Sequence, residues 1–287
     1  MIASAYTHRA TPRLGLPWAE QSLSMRLDAD NLAEAAQKAW LGPCSLVVIP
    51  LDLAAEPIAV DPDLPLYPAS MIKVPLVAVA LAEIGAGRLG SLESKVTIVP
   101  ENMTANDAVS PLVPGYEATL HELIHLAIAR SDNVATNTLF DVVGRKRATD
   151  VARERFGLLD TEFHRKLSGS EPLIEDPQWD RIHRNAHPAS DAARLFRLIA
   201  DNAVALTPVL REALDAQEWN EKLNQGLREG DRFAHKTGDT DEVTHDGGIL
   251  TTAEGAHYVV VAYTGMPSTP ENNARFGPFM EILRAYL

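Results

Sequence analysis

The sequence has little that would indicate a disulfide-stabilised, membrane-spanning or nucleic-acid-binding protein. It contains one cysteine, Cys44, among 287 residues, which excludes an internal disulfide and makes a zinc–thiolate site a poor candidate. No stretch is apolar for long enough to span a bilayer. Acidic residues outnumber basic ones, 39 to 26, and the net charge is −13. We therefore expect no nucleic-acid partner, because such a partner requires a basic patch.

The sequence also lacks internal repeats and low-complexity tracts. Residues 1–24 do not show the positively charged and then apolar pattern of a signal peptide. Hydrophobic residues make up 46% of the chain, and a chain of this length can bury a substantial core in one two-part unit. Composition thus indicates a globular protein but no particular activity.

What the sequence does contain is a set of three short motifs in a fixed order. Each motif is weak by itself, but all three in this order are expected in roughly one chain in a thousand or fewer. They supply a nucleophile, a proton-handling group and an anion-binding group, which together indicate a serine acyl-transferring enzyme. The motifs are Ser70-Met71-Ile72-Lys73, Ser131-Asp132-Asn133 and Lys236-Thr237-Gly238.

The spacing of Ser70 and Lys73 places both side chains on one face of a helix, one turn apart. A serine hydroxyl is a poor nucleophile without an adjacent base. A lysine removed from water has a lowered ammonium pKa and can accept the serine proton. The apolar run from Val74 to Ile84 predicts that the helix begins near Ser70, where backbone amides would favour a developing oxyanion.

Together these motifs resemble those of the penicillin-recognising serine enzymes, and specifically of class A β-lactamases. The resemblance extends from about residue 30 to the last residue. A capping box, Thr119-Leu120-His121-Glu122, begins a helix that leads to Ser131, much as in class A enzymes. Segments 226–230, 234–238 and 245–249 resemble the late strands of the family.

The resemblance implies an α/β (α+β) fold, in which an antiparallel sheet from both chain ends is flanked by helices and an all-helical region is inserted. Sequence patterns agree with it: segments 45–49, 58–60, 233–238, 248–252 and 257–263 predict strands, and segments 74–84, 120–129, 133–142 and 189–201 predict helices. We expect an extension of unknown role (1–27), a sheet subdomain (28–66 with 212–287) and a helical subdomain (67–211).

The resemblance also implies catalytic roles. Ser70 attacks the acyl carbon, Lys73 moves its proton, and Ser131 passes a proton to the leaving nitrogen with Lys236 nearby. The backbone amides of Ser70 and Asp239 are expected to form the oxyanion hole.

Six residues are predicted to serve substrate binding. Asn133 is expected to bind the side-chain amide of the substrate, and Asn137 to orient a catalytic carboxylate. Lys236 and Thr237, followed by Gly238, are expected to bind a substrate carboxylate. The complete set is Asn133, Asn137, Thr237, Gly238, Asp239 and His245.

The residues after the third motif carry negative charges, whereas a site for an anionic substrate requires positive ones. Asp239 and Asp241 should share a strand face that points away from Lys236, since carboxylates facing the site would repel the substrate. His245 stands roughly where many family members carry an arginine. It would bind a carboxylate only when protonated, below about pH 6.5, so activity on anionic substrates should rise as the pH falls toward 6.

The base for deacylation is ambiguous in the sequence. Class A enzymes use a glutamate in an E-x-x-L-N setting, and Glu171 is the first candidate, with Glu175 the second. However, Glu175 stands where the family asparagine is expected, and Gly169 where an arginine is usual. The segment Arg165-Lys166-Leu167 instead resembles class A-like relatives whose loop has no such glutamate.

A competing motif indicates a different chemistry. His121-Glu122-Leu123-Ile124-His125 fits the H-E-x-x-H pattern of zinc proteases. A catalytic zinc needs a third protein ligand, and no residue is indicated for it. In the lactamase-like interpretation Glu122 belongs to the capping box, and we expect neither a metal nor another cofactor.

Several functions remain open at this point. The first is hydrolysis of the β-lactam amide bond through an acyl-enzyme. The alternatives are a D-alanyl-D-alanine peptidase, an esterase or amidase, a penicillin-binding protein with slow turnover, and a non-catalytic binding module. The resemblance implies a small-molecule substrate, a monomer, and a periplasmic or secreted protein, although a cytoplasmic location stays open without a visible signal peptide.

Overall fold

Segments from both ends of the chain form one antiparallel sheet. The computed structural model describes residues 27–52, 56–169 and 173–287. Five strands pair in the order β2-β1-β7-β6-β5, and β3 and β4 form a separate ribbon. The strands are β1 (Cys44–Pro50), β2 (Ile58–Val60), β3 (Lys95–Thr97), β4 (Glu117–Thr119), β5 (Arg232–Asp239), β6 (Thr244–Thr251) and β7 (His257–Thr264).

Helices cover both faces of the sheet and fill the region between β2 and β5. They are α1 (Ala29–Lys38), α2 (Lys73–Gly85), α3 (Leu120–Ala129), α4 (Asn133–Val143), α5 (Arg145–Phe156), α6 (Ala189–Ala200), α7 (Thr207–Asp215), α8 (Pro270–Asn273) and α9 (Phe276–Leu283). None of the helices in the described segments is long and apolar enough to cross a membrane.

Alternate side chains of β1 pack into two different clusters of the hydrophobic core. Leu46 and Val48 face α1 and α9, whereas Val47 and Ile49 face the larger cluster that contains α2. Successive side chains of a strand point to opposite faces, so one apolar strand supports both layers. Helix α2 is buried on nearly all sides, which is typical of a helix that is apolar all round.

The α/β fold expected from the sequence is confirmed, with three differences in detail. The inserted region, expected to be all-helical, also contains the ribbon of β3 and β4. Strand β6 begins at Thr244 rather than near residue 248, because Thr244–Gly247 pair with both β5 and β7. The turn that contains Ser70 is a 3-10 helix, Ala69–Ile72, and the α-helix begins only at Lys73.

The proposed subdivision of the chain stays a prediction. A boundary between residues 211 and 212 would cut through helix α7, Thr207–Asp215. Residues 1–26, most of the predicted N-terminal extension, lie outside the described residues.

Candidate active site

Ser70 lies in a tight turn that the edge strand β5 approaches closely. Ala69, just before it, has a left-handed backbone with φ +48°. A Cβ atom on Gly238 would lie 3.0 Å from the Pro68 carbonyl oxygen and 3.2 Å from the Met71 nitrogen. Any side chain at position 238 would therefore crowd the turn, which favours glycine as the third residue of the Lys-Thr-Gly motif.

Lys73 is the centre of the polar contacts beside Ser70. Its side chain is fully buried, and its Nζ donates to the Ser131 carbonyl oxygen. It also donates to the Ser131 Oγ at 3.1 Å and to the Asn133 Oδ1 at 2.8 Å. The first two motifs are thus joined through the amino group of Lys73.

The environment of Lys73 favours its neutral form. Burial lowers its pKa well below the ordinary lysine value, and the charge of Lys236 lowers the pKa further. The carboxylates of Asp132 and Asp107 oppose this shift only in part. A neutral Lys73 has a lone pair and can act as a base toward the Ser70 hydroxyl.

The backbone around the second motif fixes the direction of the Ser131 groups. Ser131 has a left-handed backbone with φ +57°. Asp132 caps helix α4 by accepting from the Ala135 N–H at 2.9 Å, and the Asp132 N–H donates to the Leu126 carbonyl at 3.0 Å. These bonds on either side support a strained conformation that presents both Ser131 oxygens to Lys73.

Lys236 lies beneath the site and is fully buried. Burial lowers its pKa to about 7, although the charges of Asp239 and Asp246 raise it. Its Nζ donates to the Thr237 carbonyl oxygen at 2.8 Å. The Thr237 side chain is also buried, so its predicted contact with a substrate carboxylate stays a prediction.

Asp239 and Asp241 both line the cavity that contains Ser70, so the expected orientation of this pair away from the site is not confirmed. Asp239 binds a second buried lysine. Its Oδ1 accepts from Lys222 Nζ at 2.6 Å, from Ser268 Oγ at 2.6 Å and from Thr244 Oγ1 at 3.1 Å. Burial would raise its pKa, but Lys222 and these donors hold the pKa below the usual aspartate value. Lys222 is fully buried, and no motif around it in the sequence indicates this contact.

The structure contradicts the predicted role of His245. The ring is fully buried, stacks on Tyr263 at 4.2 Å, and donates through Nε2 to the Tyr67 carbonyl at 2.8 Å. Burial lowers its pKa to about 4, so it is neutral at pH 6. The ring stabilises the segment before Ser70 through its bond to the Tyr67 carbonyl, and it does not supply a cation to the substrate.

A cavity of about 360 Å³ opens over Ser70. Its lining contains hydroxyl, amide and carboxylate side chains but, among the described residues, no lysine, arginine or histidine. The lining residues are Tyr67, Ala69, Ser70, Asp107, Ser131, Asn133, Leu167, Ser168, Gly169, Leu173, Asp239, Thr240 and Asp241. Ser70, Ser131, Asn133 and Asp239 are therefore brought together, as the sequence predicted.

In one wall of this cavity, an amide side chain holds the backbone of Leu167. The Asn137 Nδ2 donates to the Leu167 carbonyl at 2.9 Å, and its Oδ1 accepts from the Leu167 N–H at 2.8 Å. Lys166 instead binds Asn102 Oδ1 and Asp141 Oδ2, at 2.5 and 2.8 Å. Asn137 thus positions a leucine beside Ser70, and its predicted contact with a catalytic carboxylate is not seen among the described residues.

Of the two candidates for the deacylation base, the structure describes only Glu175. Glu171 lies outside the described residues, which omit 170–172. Glu175 is exposed and does not line the cavity. The only carboxylates in the described lining are those of Asp107, Asp239 and Asp241.

The H-E-x-x-H segment serves as a helix start. The Thr119 Oγ1 accepts from the Glu122 N–H at 3.1 Å, and the Glu122 carboxylate accepts from the Tyr116 hydroxyl at 3.1 Å. Within the described part of the chain, no three His, Cys, Asp or Glu side chains are placed to hold a metal ion. The zinc-protease interpretation therefore has no ligand set there.

A family model described as the β-lactamase enzyme family matches residues 29–279. The chain belongs to this family. It is 27% identical to a protein named β-lactamase from Bacteroides uniformis, over 64% of this chain and 66% of that protein, so the match spans slightly less than two thirds of the relative. By family, the chain is a serine β-lactamase-type hydrolase.

Several solved structures share the fold of this chain. The β-lactamase from Sphaerobacter thermophilus superposes with a TM-score of 0.77 at 24% identity, covering 90% of this chain and 97% of that one. PBP-A superposes with a TM-score of 0.75 at 23% identity, covering 88% and 94%. A leucine-to-glutamate mutant of PBP-A, similar to the same extent, was solved as an acyl-enzyme complex with penicillin G.

Proposed function

We propose that the protein opens the amide bond of β-lactams by acylation of Ser70 and then hydrolyses the acyl-enzyme. The observation that carries the proposal is the position of Lys73. Its buried Nζ has a lowered pKa and contacts Ser131 and Asn133, whose side chains share a cavity with Ser70. A base, a proton relay and a nucleophile thus occupy one small volume.

In the acylation step the Ser70 Oγ forms a bond to the carbonyl carbon and loses its proton to Lys73. The N–H groups of Ser70 and Asp239 stabilise the negative charge that develops on the carbonyl oxygen. When the carbon–nitrogen bond breaks, the proton passes from Lys73 through the Ser131 hydroxyl to the leaving nitrogen. Protonated Lys236, with Thr237, attracts the carboxylate of the substrate.

Hydrolysis of the acyl-enzyme requires a water molecule and a base near Ser70. Glu171 is our first candidate for that base, and Glu175 the second. The same machinery without such a base would leave Ser70 acylated.

One observation favours a second function, that of a penicillin-binding protein with slow turnover. Asn137 fixes Leu167 in the wall beside Ser70, and the described wall from Leu167 to Gly169 contains no acid or base. A leucine-to-glutamate mutant of the similarly folded PBP-A was solved as an acyl-enzyme complex with penicillin G, so this fold is compatible with acylation by a β-lactam.

A chromogenic cephalosporin tests the proposal when colour and intact mass are followed together. Sustained colour that is abolished in Ser70→Ala supports hydrolysis. A stable adduct on Ser70 with a single turnover supports the penicillin-binding function. Absence of both colour and adduct would refute reaction with β-lactams and direct the search to esters and other amides.

A further inference from the structure

A buried lysine that carries no motif lies directly behind the third motif. The Lys222 Nζ binds the Asp239 Oδ1 at 2.6 Å and the His245 carbonyl at 2.9 Å, and lies 3.5 Å from the Gly238 carbonyl. Its side chain is fully buried, and its Nζ lies 5.8 Å from the centre of the Phe276 ring. One cation therefore joins the ends of β5 and β6.

Asp239 extends this connection to two further segments. The oxygen that binds Lys222 also accepts from Thr244 on β6 and from Ser268 after β7. A carboxylate with three donors on one oxygen, one of them a buried ammonium, has little freedom to rotate. Asp239 is consequently held by its side chain as well as by the backbone pairing of β5.

The geometry of the peptide bond connects this anchor to the reaction. The Gly238–Asp239 peptide is planar, and its carbonyl and N–H point in opposite directions. Lys222 lies on the carbonyl side, so the Asp239 N–H is turned the other way. Strand β5 is an edge strand, and its Gly238 lies against the turn that contains Ser70.

We propose that Lys222 is a positioning residue that fixes the Gly238–Asp239 peptide and thereby the Asp239 N–H of the oxyanion hole. This inference rests on the proposed acylation of Ser70. A donor placed in advance at the developing oxyanion stabilises the transition state and not the bound substrate. Loss of Lys222 should therefore slow acylation without weakening the initial binding of substrate.

Phenylboronic acid is a direct probe of this hole. Its boron accepts the Ser70 Oγ, becomes tetrahedral and places one of its hydroxyls in the position of the oxyanion, while the serine proton passes to Lys73. The adduct forms whether or not β-lactams are substrates. Its dissociation constant can be measured by calorimetry on the full chain.

Lys222→Met is the main variant, because methionine keeps an unbranched chain without the charge. This substitution removes the cation that pairs with the Asp239 carboxylate, and the unpaired charge destabilises the folded protein. The double variant Lys222→Met/Asp239→Asn removes that charge and serves as the stability-matched partner. In both variants we expect boronate affinity and the acylation rate with benzylpenicillin to fall about tenfold or more.

Binding of benzylpenicillin to the Ser70→Ala protein, with and without Lys222→Met, provides the control for ground-state affinity. We expect the two dissociation constants to agree within about twofold. Unchanged boronate affinity in both folded Lys222 variants would overturn the inference, as would equal losses in boronate and ground-state binding. If the unmodified protein binds boronate but is never acylated by penicillin, the proposed function fails while the role of Lys222 is still tested.

Discussion

The two walls of the cavity over Ser70 are built very differently. One wall, here called the acylation wall, consists of Ser70, Ser131 and Asn133 above the buried Lys73, and its polar groups are densely bonded. The opposite loop wall consists of Leu167, Ser168, Gly169 and Leu173. Its described part offers no acid or base, and one amide side chain holds its leucine.

In the proposed function, formation and breakdown of the acyl-enzyme would therefore depend on separate parts of the molecule. The first step would use groups fixed by helices α2 and α4 and by strand β5. The second step would depend on the segment between α5 and α6. The loop wall can therefore change without disturbing the acylation wall, and related chains can share the first step and differ in the second.

The largest effect is expected from removing the base of the acylation wall. Lys73→Met should reduce the rate of Ser70 acylation by about a hundredfold to ten-thousandfold. Lys73→Arg should be equally impaired, because arginine keeps the charge but does not release its proton. Intact mass against time, with benzylpenicillin, measures both rates; an active Lys73→Arg protein would show that Lys73 supplies charge and not proton transfer.

The loop wall is tested by placing a carboxylate on it. Leu167→Glu should shorten the lifetime of the acyl-enzyme about tenfold or more if the natural wall has no base, because a carboxylate there can activate a water molecule. Glu171→Gln is the matched variant, and it should lengthen the lifetime only if Glu171 is the base. Decay of the adduct mass after removal of free penicillin gives both lifetimes.

If Glu171→Gln traps the adduct and Leu167→Glu has no effect, hydrolysis by the unmodified loop is established. The reverse pattern would establish slow turnover. These two substitutions therefore decide between the two functions proposed above.

Lys236 should set an upper pH limit for anionic substrates. Its pKa is about 7, so its charge is present below that pH and is lost as the pH rises through it. Acylation by β-lactams with a free carboxylate should fall, by up to about tenfold per pH unit, above the limit. Lys236→Arg should move this limit beyond the measurable range, because arginine stays charged.

Rates measured between pH 5.5 and 9 at constant ionic strength would show the limit. If the rate of the Lys236→Arg protein still falls at the same high pH, a group other than Lys236 causes the fall. His245 does not contribute in this range, since its pKa is about 4.

The smallest effect is expected at Asp107, an exposed carboxylate of the cavity lining. Its charge raises the pKa of both Lys73 and Lys236. Asp107→Asn should therefore lower both values and shift the whole pH profile toward acid by about half a unit or less. Asp215→Asn, an exposed change on α7, is the control for net charge and should leave the profile in place.

The sequence predicted the acylation wall better than any other part of the site. Ser70, Ser131, Asn133 and Asp239 were expected together, and they line one cavity. Their identification depended on short local motifs, which set spacing along one element. Helix and strand geometry determines which residues of one short segment share a face, so the relative placement of residues within each motif could be predicted from the sequence.

Side chains that depend on packing between elements were predicted less well. His245 was placed in the site by its distance from the third motif, but its ring turns toward Tyr263 and the Tyr67 carbonyl. Lys222 was not found, because nothing along the chain indicates that it reaches Asp239. Both positions depend on how the 3-10 turn of Ser70, the strands and the C-terminal helix pack together, and no single segment of the sequence specifies that packing.

The order of strands in the sheet also has a consequence for synthesis of the protein. Strand β1 pairs with β7, more than two hundred residues later, and with β2 beside it. Contacts between such distant segments form slowly, since a long loop must close first. In a chain still emerging from the ribosome, Ser70 precedes Gly238 and Asp239, the proposed oxyanion donor. The proposed site therefore stays incomplete until β5 has been synthesised and has paired with β6.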